Sequence, residues 1–206
     1  MNSSLFMQYL KNEIREKIIS AALKEFKEYG YLEANMRSIA RRSGITVGNI
    51  YRYFRSKDAL FKEIMEPAKL ELMDLLFADK QKDIHSQGYG YLFDIDAIMN
   101  NVIRVLRKYT SELIIIIYKS KGSKYENIKE EFISLIEKRL AEELLSGHSI
   151  QDSINKNSAI AYVVAASLVE SIFIIVKKYD QDIEKIDFLV RQIIVIFFKD
   201  ICSRLL

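Results

Sequence analysis

The 206-residue chain contains one cysteine, one proline, seven glycines and two histidines. A lone thiol, Cys202, excludes an intrachain disulfide framework and a four-thiolate zinc site, and it fits a reducing cytoplasmic compartment. So little proline and glycine does not suit a turn-rich β fold, whose connections draw on both residues. The composition favours long helices with few connections. The histidines, His85 and His148, fall in predicted connections. There is no HExxH, Glu-x-x-His pair, P-loop or GxGxxG. The adjacent pairs Glu130-Glu131 and Glu142-Glu143 point their members to different sides of a helix, so they read as solvated surface. No enzyme, metal or cofactor is expected.

The opening MNSSLFMQYLKNEIREK lacks a basic start followed by an apolar core, so no signal peptide is expected. The longest apolar stretch, 159–176, is interrupted by Ser167, Glu170 and Ser171. It falls short of the roughly 20 apolar residues of a membrane span, and reads as a buried helix. Half the residues are hydrophobic and 29% are charged, enough apolar material for a core. The length allows one domain, or a small one fused to a larger one.

The net charge of +3 is unevenly spread. Residues 1–57 hold 11 Lys/Arg against 5 Asp/Glu, and residues 58–206 hold 20 against 23. A basic head on a slightly acidic body suggests that the head meets a polyanion.

Ile14, Ile18, Ala22, Phe26 and Tyr29 lie three or four apart, which predicts one face of a helix over 12–29 that stops at Gly30. Asn35 can cap a second helix, with Ile39 and Ala40 inward and Gly44 at its end. Thr46 caps a third and Ser56 a fourth, which runs to about Phe77. Pro67 inside it predicts a kink or break within a turn. Residues 78–93 form the longest connection. Five further helices are expected at about 94–108, 110–120, 124–146, 153–178 and 182–205, punctuated by Gly122 and by Ser146-Gly147-His148-Ser149. The last two are apolar over more than one stripe, so a second subunit is expected to cover them.

Asn35 to Lys57, NMRSIARRSGITVGNIYRYFRSK, has the length and punctuation of a helix-turn-helix. Ile39, Ala40, Ile45, Ile50 and Phe54 can pack the two helices together. Val47, Gly48, Asn49, Tyr51, Arg52 and Tyr53 then face outward, where one helix fits a major groove. Arg37, Arg41, Arg42, Arg52, Arg55 and Lys57 flank the unit with positive charge suited to phosphates.

Three segments carry a family resemblance. They are Ala21-Ala22-x-x-x-Phe26-x-x-x-Gly30, Ile39-Ala40-x-x-x-Gly44-Ile45-Thr46, and Ile50-Tyr51-x-Tyr53-Phe54-x-Ser56-Lys57-x-x-Leu60. Over about residues 14–64 the chain resembles the tetracycline-repressor (TetR) family of bacterial transcription regulators. The resemblance implies an all-α homodimer, with a helix-turn-helix DNA-binding domain (1–57) and a helical ligand-binding and dimerisation domain (58–206). It further implies a repressor that binds a palindromic operator in double-stranded DNA and is released by a small apolar or amphipathic effector. A transcriptional activator of the same fold, and a helical protein-interaction module with a basic head, are the alternatives.

Carried over residue by residue, Arg37 resembles a position that touches bases or backbone, and Val47, Gly48 and Asn49 occupy the base-reading edge. Tyr51 resembles a tyrosine that contacts a phosphate or a thymine methyl, and Tyr53 and Lys57 resemble phosphate-contacting positions. The family commonly has Thr or Ser at the cap of the second helix, where Asn35-Met36 stand here. A hydroxyl contact at position 36 is lost, and base specificity leans on Arg37, Asn49 and Arg52. Pocket residues are sought among Met65, Met73, Phe77, Phe93, Met99, Ile103, Tyr118, Tyr125, Phe132 and Tyr162. Val164, Leu168, Ile172, Ile194, Phe197 and Ile201 are expected at the dimer interface. Glu170, charged on an apolar helix, must be paired, solvated or neutralised.

Overall fold

The computed structural model describes residues 3–77, 95–146 and 154–198. The expected connection at 78–93, the punctuation at 147–149, both histidines, Cys202, Phe93 and Ile201 lie outside these residues, as does the side chain of Phe77. The described residues form eight helices and no strand: α1 (Ser3–Glu33), α2 (Met36–Ser43), α3 (Val47–Tyr53), α4 (Lys57–Phe77), α5 (Ile95–Tyr118), α6 (Ile128–Ser146), α7 (Ile154–Lys178) and α8 (Ile183–Phe198).

They divide into two compact units, Met1–Lys69 with Ser111–Glu126, and Leu70–Thr110 with Asn127–Leu206. The division cuts through α4 and α5. The head therefore contains more than the helix-turn-helix segment.

In the first unit α1 buries Ile18, Ala21, Ala22 and Phe26. The helix starts well before residue 12, where a Lys17–Glu13 pair one turn apart (2.7 Å) supports its exposed early turns. Gly30 kinks α1 rather than ending it. Its φ of 75° and ψ of 171° are open essentially to glycine alone, and three more residues follow. Tyr29, expected to face inward, is 50% exposed, with the Arg42 guanidinium over its ring. Phe61 sits at the centre of an aromatic cluster, edge-on to Phe26 and Tyr31 with centroids 4.8 Å away, and 5.8 Å from Tyr125.

α4 begins at the expected cap, where Ser56 Oγ accepts from the Ala59 N–H at 3.0 Å. It runs through Pro67 without a break, against expectation. Pro67 is exposed, so water can meet the carbonyl that loses its donor. Ile64, Met65 and Ala68 bury the opposite face.

In the second unit, the break expected near residue 109 is a single non-helical residue, Tyr109 (φ −129°, ψ 27°), inside a continuous α5. α6 starts at Ile128 rather than 124. The preceding residues instead close a turn in the first unit, in which the Ser123 N–H donates to the Ser120 carbonyl (2.9 Å) and Ser120 Oγ donates to the Tyr125 carbonyl (3.1 Å).

α7 packs against both α6 and α8, burying Ala161, Ala165, Leu168, Val169, Phe173 and Val176. Its segment Ala159–Lys178 has 20 residues and a mean hydropathy of 2.3, so by length and composition it reaches what a span requires. This corrects the shorter length expected from sequence. Of that segment 39% is buried, in its packing against α6 and α8. Glu170 is paired with Lys129 Nζ at 3.0 Å.

The residues expected at a dimer interface differ in exposure within the single chain. Leu168 and Ile194 are buried within the unit and Ile172 lines its cavity, while Val164 and Phe197 are half-buried. The large apolar side chains left exposed are instead Ile160, Tyr162, Val163 and Ile174 on α7, with Phe188 and Ile196 on α8.

Candidate nucleic-acid interface and cavity

The interface is built by local rules. Asn35 has extended backbone and its Oδ1 accepts from the Ser38 N–H at 2.9 Å, starting α2. Gly44 takes the left-handed conformation (φ 72°, ψ 24°) that ends it, and the Ile45 N–H reaches back to the Ala40 carbonyl at 3.1 Å. Thr46 Oγ1 accepts from the Asn49 N–H at 3.3 Å, starting α3. Ile39, Ala40, Ile50 and Phe54 are buried and hold α2 and α3 together, while Ile45 is half-buried. Met36 is also buried, which explains an apolar residue where a hydroxyl is common.

This packing turns one edge of α3 outward. Gly48, Tyr51 and Arg52 are exposed, and Val47, Asn49 and Tyr53 are half-buried. A Cβ on Gly48 would meet no protein atom, so internal packing does not require glycine there. Arg37, Arg41 and Arg55 are exposed, and no described residue pairs with these guanidinium groups or with that of Arg52.

Two cations of the segment are differently engaged. Lys57, expected at a phosphate, donates its three ammonium protons to the carbonyls of Tyr31 (2.7 Å), Leu32 (3.1 Å) and Ala34 (3.0 Å). It also lies over the Tyr31 ring. It closes the end of α1, and its protons are not available to a phosphate without breaking that cap. The Tyr31 hydroxyl donates to Asp58, and burial followed by this bond pushes its pKa up to about 12. Arg42 turns back onto α1, its Nε 2.8 Å from the buried Glu25 carboxylate and its Nη2 on Glu28. Neither engagement is legible from sequence, because both partners lie on α1 or just beyond it. A third, also missed, is Lys119, whose ammonium donates to the Lys27 and Glu28 carbonyls while its own carbonyl accepts from the Tyr31 N–H at 2.7 Å.

The second unit holds a partly open cavity of about 160 Å³, lined among the described residues by fifteen apolar side chains and by Asn101 and Arg139. Of the residues sought from sequence whose side chains are described, only Phe132 lines it. Met65 is fully buried in the first unit. Tyr118 and Tyr125 also lie there, with Tyr125 bonded to Glu66. Met99 and Ile103 are buried elsewhere on α5, Met73 is half-buried outside the lining, and Tyr162 is exposed. The sequence could not separate these, since core and lining share one apolar vocabulary. Among the described residues no group of three or more His, Cys, Asp or Glu is gathered to hold a metal.

A capped two-helix unit with a left-handed glycine turn, a buried seam and an outward aromatic and basic edge defines a helix-turn-helix DNA-binding protein. Residues 18–64 match the family model described as bacterial regulatory proteins, tetR family. Over those residues the chain is similar to that family, whose members are DNA-binding transcription factors. Among its relatives is YvdT of Bacillus subtilis (strain 168), described as an uncharacterised HTH-type transcriptional regulator. It is 24% identical over 145 residues, covering 68% of this chain and 71% of the relative. The fold is similar to that of NalD from Pseudomonas aeruginosa, the secondary repressor of the MexAB-OprM multidrug efflux pump. There the TM-score is 0.57 and the identity 18%, covering 92% of this chain and 96% of that one. It is also similar to the transcriptional regulator FadR from Bacillus subtilis in complex with stearoyl-CoA, with a TM-score of 0.54 and 15% identity, covering 90% and 98%.

Proposed function

We propose that this chain is a cytoplasmic, effector-responsive repressor that binds a palindromic DNA operator as a homodimer. The observation that carries the reading is the outward edge of α3 and α2, where Tyr51, Arg52 and Arg37 are exposed and the arginines have no described protein partner. Arg37, Asn49 and Arg52 are assigned to bases, Tyr51 and Tyr53 to backbone or thymine methyl groups, and Val47 and Gly48 to close approach. Arg41 and Arg55 add phosphate contacts.

Exposed Ile160, Val163 and Ile174 of α7, with Phe188 and Ile196 of α8, supply the apolar face for the second subunit. In the dimer the two recognition helices must lie roughly 34–36 Å apart to meet successive major grooves. The cavity is the effector site, a reading supported by its apolar lining and by the acyl-CoA ligand of the FadR structure. α4 carries Leu72 and Leu75 into the cavity lining and Pro67 one to two turns earlier, so occupancy reaches the head through this helix, with Pro67 as pivot. The effector releases DNA to the extent that it binds the DNA-incompetent state more tightly.

The test is selection of bound duplexes from a random pool, followed by binding at increasing salt. The reading expects an inverted repeat bound by two chains, with log affinity falling linearly against log salt. Recovery of no preferred sequence, or a single chain at every concentration, refutes it. Placement of the selected site relative to a promoter decides repression against activation.

A further inference from the structure

Resting on the reading of the α2–α3 edge as the operator surface, we infer that Lys119 is a positioning residue for that edge. It splices the kink of α1, and through the kink it sets where α2 presents Arg37.

The kink breaks one particular hydrogen bond. In an unbroken helix the Tyr31 N–H would donate to the Lys27 carbonyl, four residues back. At Gly30 the backbone turns to φ 75° and ψ 171°, which aims that N–H out of the helical direction. Lys119 meets both halves of the broken bond. Its carbonyl accepts from the Tyr31 N–H at 2.7 Å, and its ammonium donates to the Lys27 carbonyl and, at 3.3 Å, to that of Glu28. Lys119 is itself held at the end of α5, its N–H donating to the Ile115 carbonyl at 2.8 Å. All of these residues belong to the first unit.

The segment that leaves the kink is short. Tyr31 to Ala34 lead directly to the Asn35 cap of α2, and the Ala34 N–H returns to the Gly30 carbonyl at 3.1 Å. The direction of exit therefore governs the first turn of α2, where Arg37 stands exposed. The Lys119 ammonium is spent on carbonyls, so removing it leaves the exposed cations Arg37, Arg41, Arg52 and Arg55 unchanged in number. A base contact depends on placement, whereas attraction to phosphates depends chiefly on charge. The two kinds of DNA binding thus respond differently to the loss of Lys119.

Binding of the full chain to its selected operator and to random duplex, each at several salt concentrations, tests the assignment, with hydrogen exchange on the same samples. Lys119→Met is expected to weaken operator binding about tenfold or more, as the loss of charge-assisted bonds implies. Random-duplex affinity and the salt slope should stay as they are, and the Tyr31 amide should lose protection. Lys119→Arg keeps donors at the carbonyls and is expected to retain the operator preference. If Lys119→Met does not fold, Lys119→Gln is read against the same outcomes.

Three results overturn the inference. One is a Lys119→Met protein that melts earlier but keeps its operator preference, which marks a merely structural role. Another is an equal fall on both duplexes with a salt slope lower by about 1, which makes Lys119 a phosphate contact. The third is a Lys119→Arg protein that loses the preference as fully as Lys119→Met. A parent chain without any operator preference refutes the operator reading itself, and protection of the Tyr31 amide then still decides whether Lys119 splices the kink.

Discussion

The Glu25 carboxylate, 1% exposed on α1, is held by the Arg42 guanidinium of α2 at 2.8 Å and by the Ser38 hydroxyl at 2.7 Å. A buried acid thus fixes α2 against α1, and α2 in turn carries the recognition helix. Arg42→Ala leaves that acid with a single hydroxyl donor. Breaking the pair leaves the buried Glu25 charge poorly compensated, so the fold is destabilised. Urea denaturation should show the loss. Glu25→Gln together with Arg42→Met should recover part of it, since no uncompensated charge remains.

Gly30 adopts a backbone conformation that costs other residues about 1–3 kcal/mol. A Cβ there would also stand 3.3 Å from the Lys119 carbonyl, the acceptor for Tyr31 N–H. Gly30→Ala should therefore lower the melting temperature, and hydrogen exchange should show the Tyr31 amide losing protection ahead of the amides around Phe26.

Gly48 is the opposite case. A Cβ added there has open space around it and the backbone is ordinary helix, so Gly48→Ala should stabilise α3 by up to about 1 kcal/mol. If the residue is small to let the helix approach bases, the same variant weakens operator binding. A thermal melt and a binding isotherm on one sample read the two effects, which have opposite signs.

Lys57 and Arg52 should separate in salt dependence. Lys57 is engaged with three carbonyls at the end of α1, so Lys57→Met is expected to lower stability by about 1–3 kcal/mol and leave the salt slope of DNA binding unchanged. Arg52→Ala should leave stability nearly unchanged. It should weaken operator binding more than random-duplex binding if it reads a base, or both equally with a salt slope lower by about 1 if it meets a phosphate.

Glu71 accepts from Lys108, from the Tyr109 hydroxyl at 2.8 Å and from Arg104 at 2.8 Å. These bonds, that of Lys108 foremost, lower its pKa to about 2 from an ordinary 4.5. A depressed carboxyl pKa stabilises the fold above the unfolded-state value, and the contribution is lost as pH falls through the folded-state value. Glu71→Gln should thus be less stable than the parent at neutral pH, with the gap closing between about pH 5 and pH 2. Chemical denaturation at several pH values measures it, and a gap that widens on acidification contradicts the assignment.

The caps at Asn35, Thr46 and Ser56 are legible in the sequence because a cap is a local event, in which a side chain meets a backbone amide three residues on. The same holds for Gly44 and for the interruption near Tyr109, where the helical pattern itself breaks off. Pro67 is misleading in sequence because its cost depends on which side of the helix faces water, and that side is set by Ile64, Met65 and Ala68 packing within the head. Lys57 and Arg42 resemble groups for DNA until the fold is known, because charge alone does not reveal a partner on another helix.

The amino-acid order by itself determined the all-helical class, the helix-turn-helix and its outward edge, since these follow from periodicity, short-range hydrogen bonds and a basic, aromatic composition within some twenty residues. Tertiary structure decided which cations remain available to a polyanion, which apolar residues enclose a cavity instead of filling a core, and which stripe of α7 and α8 is left bare. Those outcomes depend on distances between residues far apart along the chain, and an apolar or charged side chain carries no local mark of the neighbour that folding gives it.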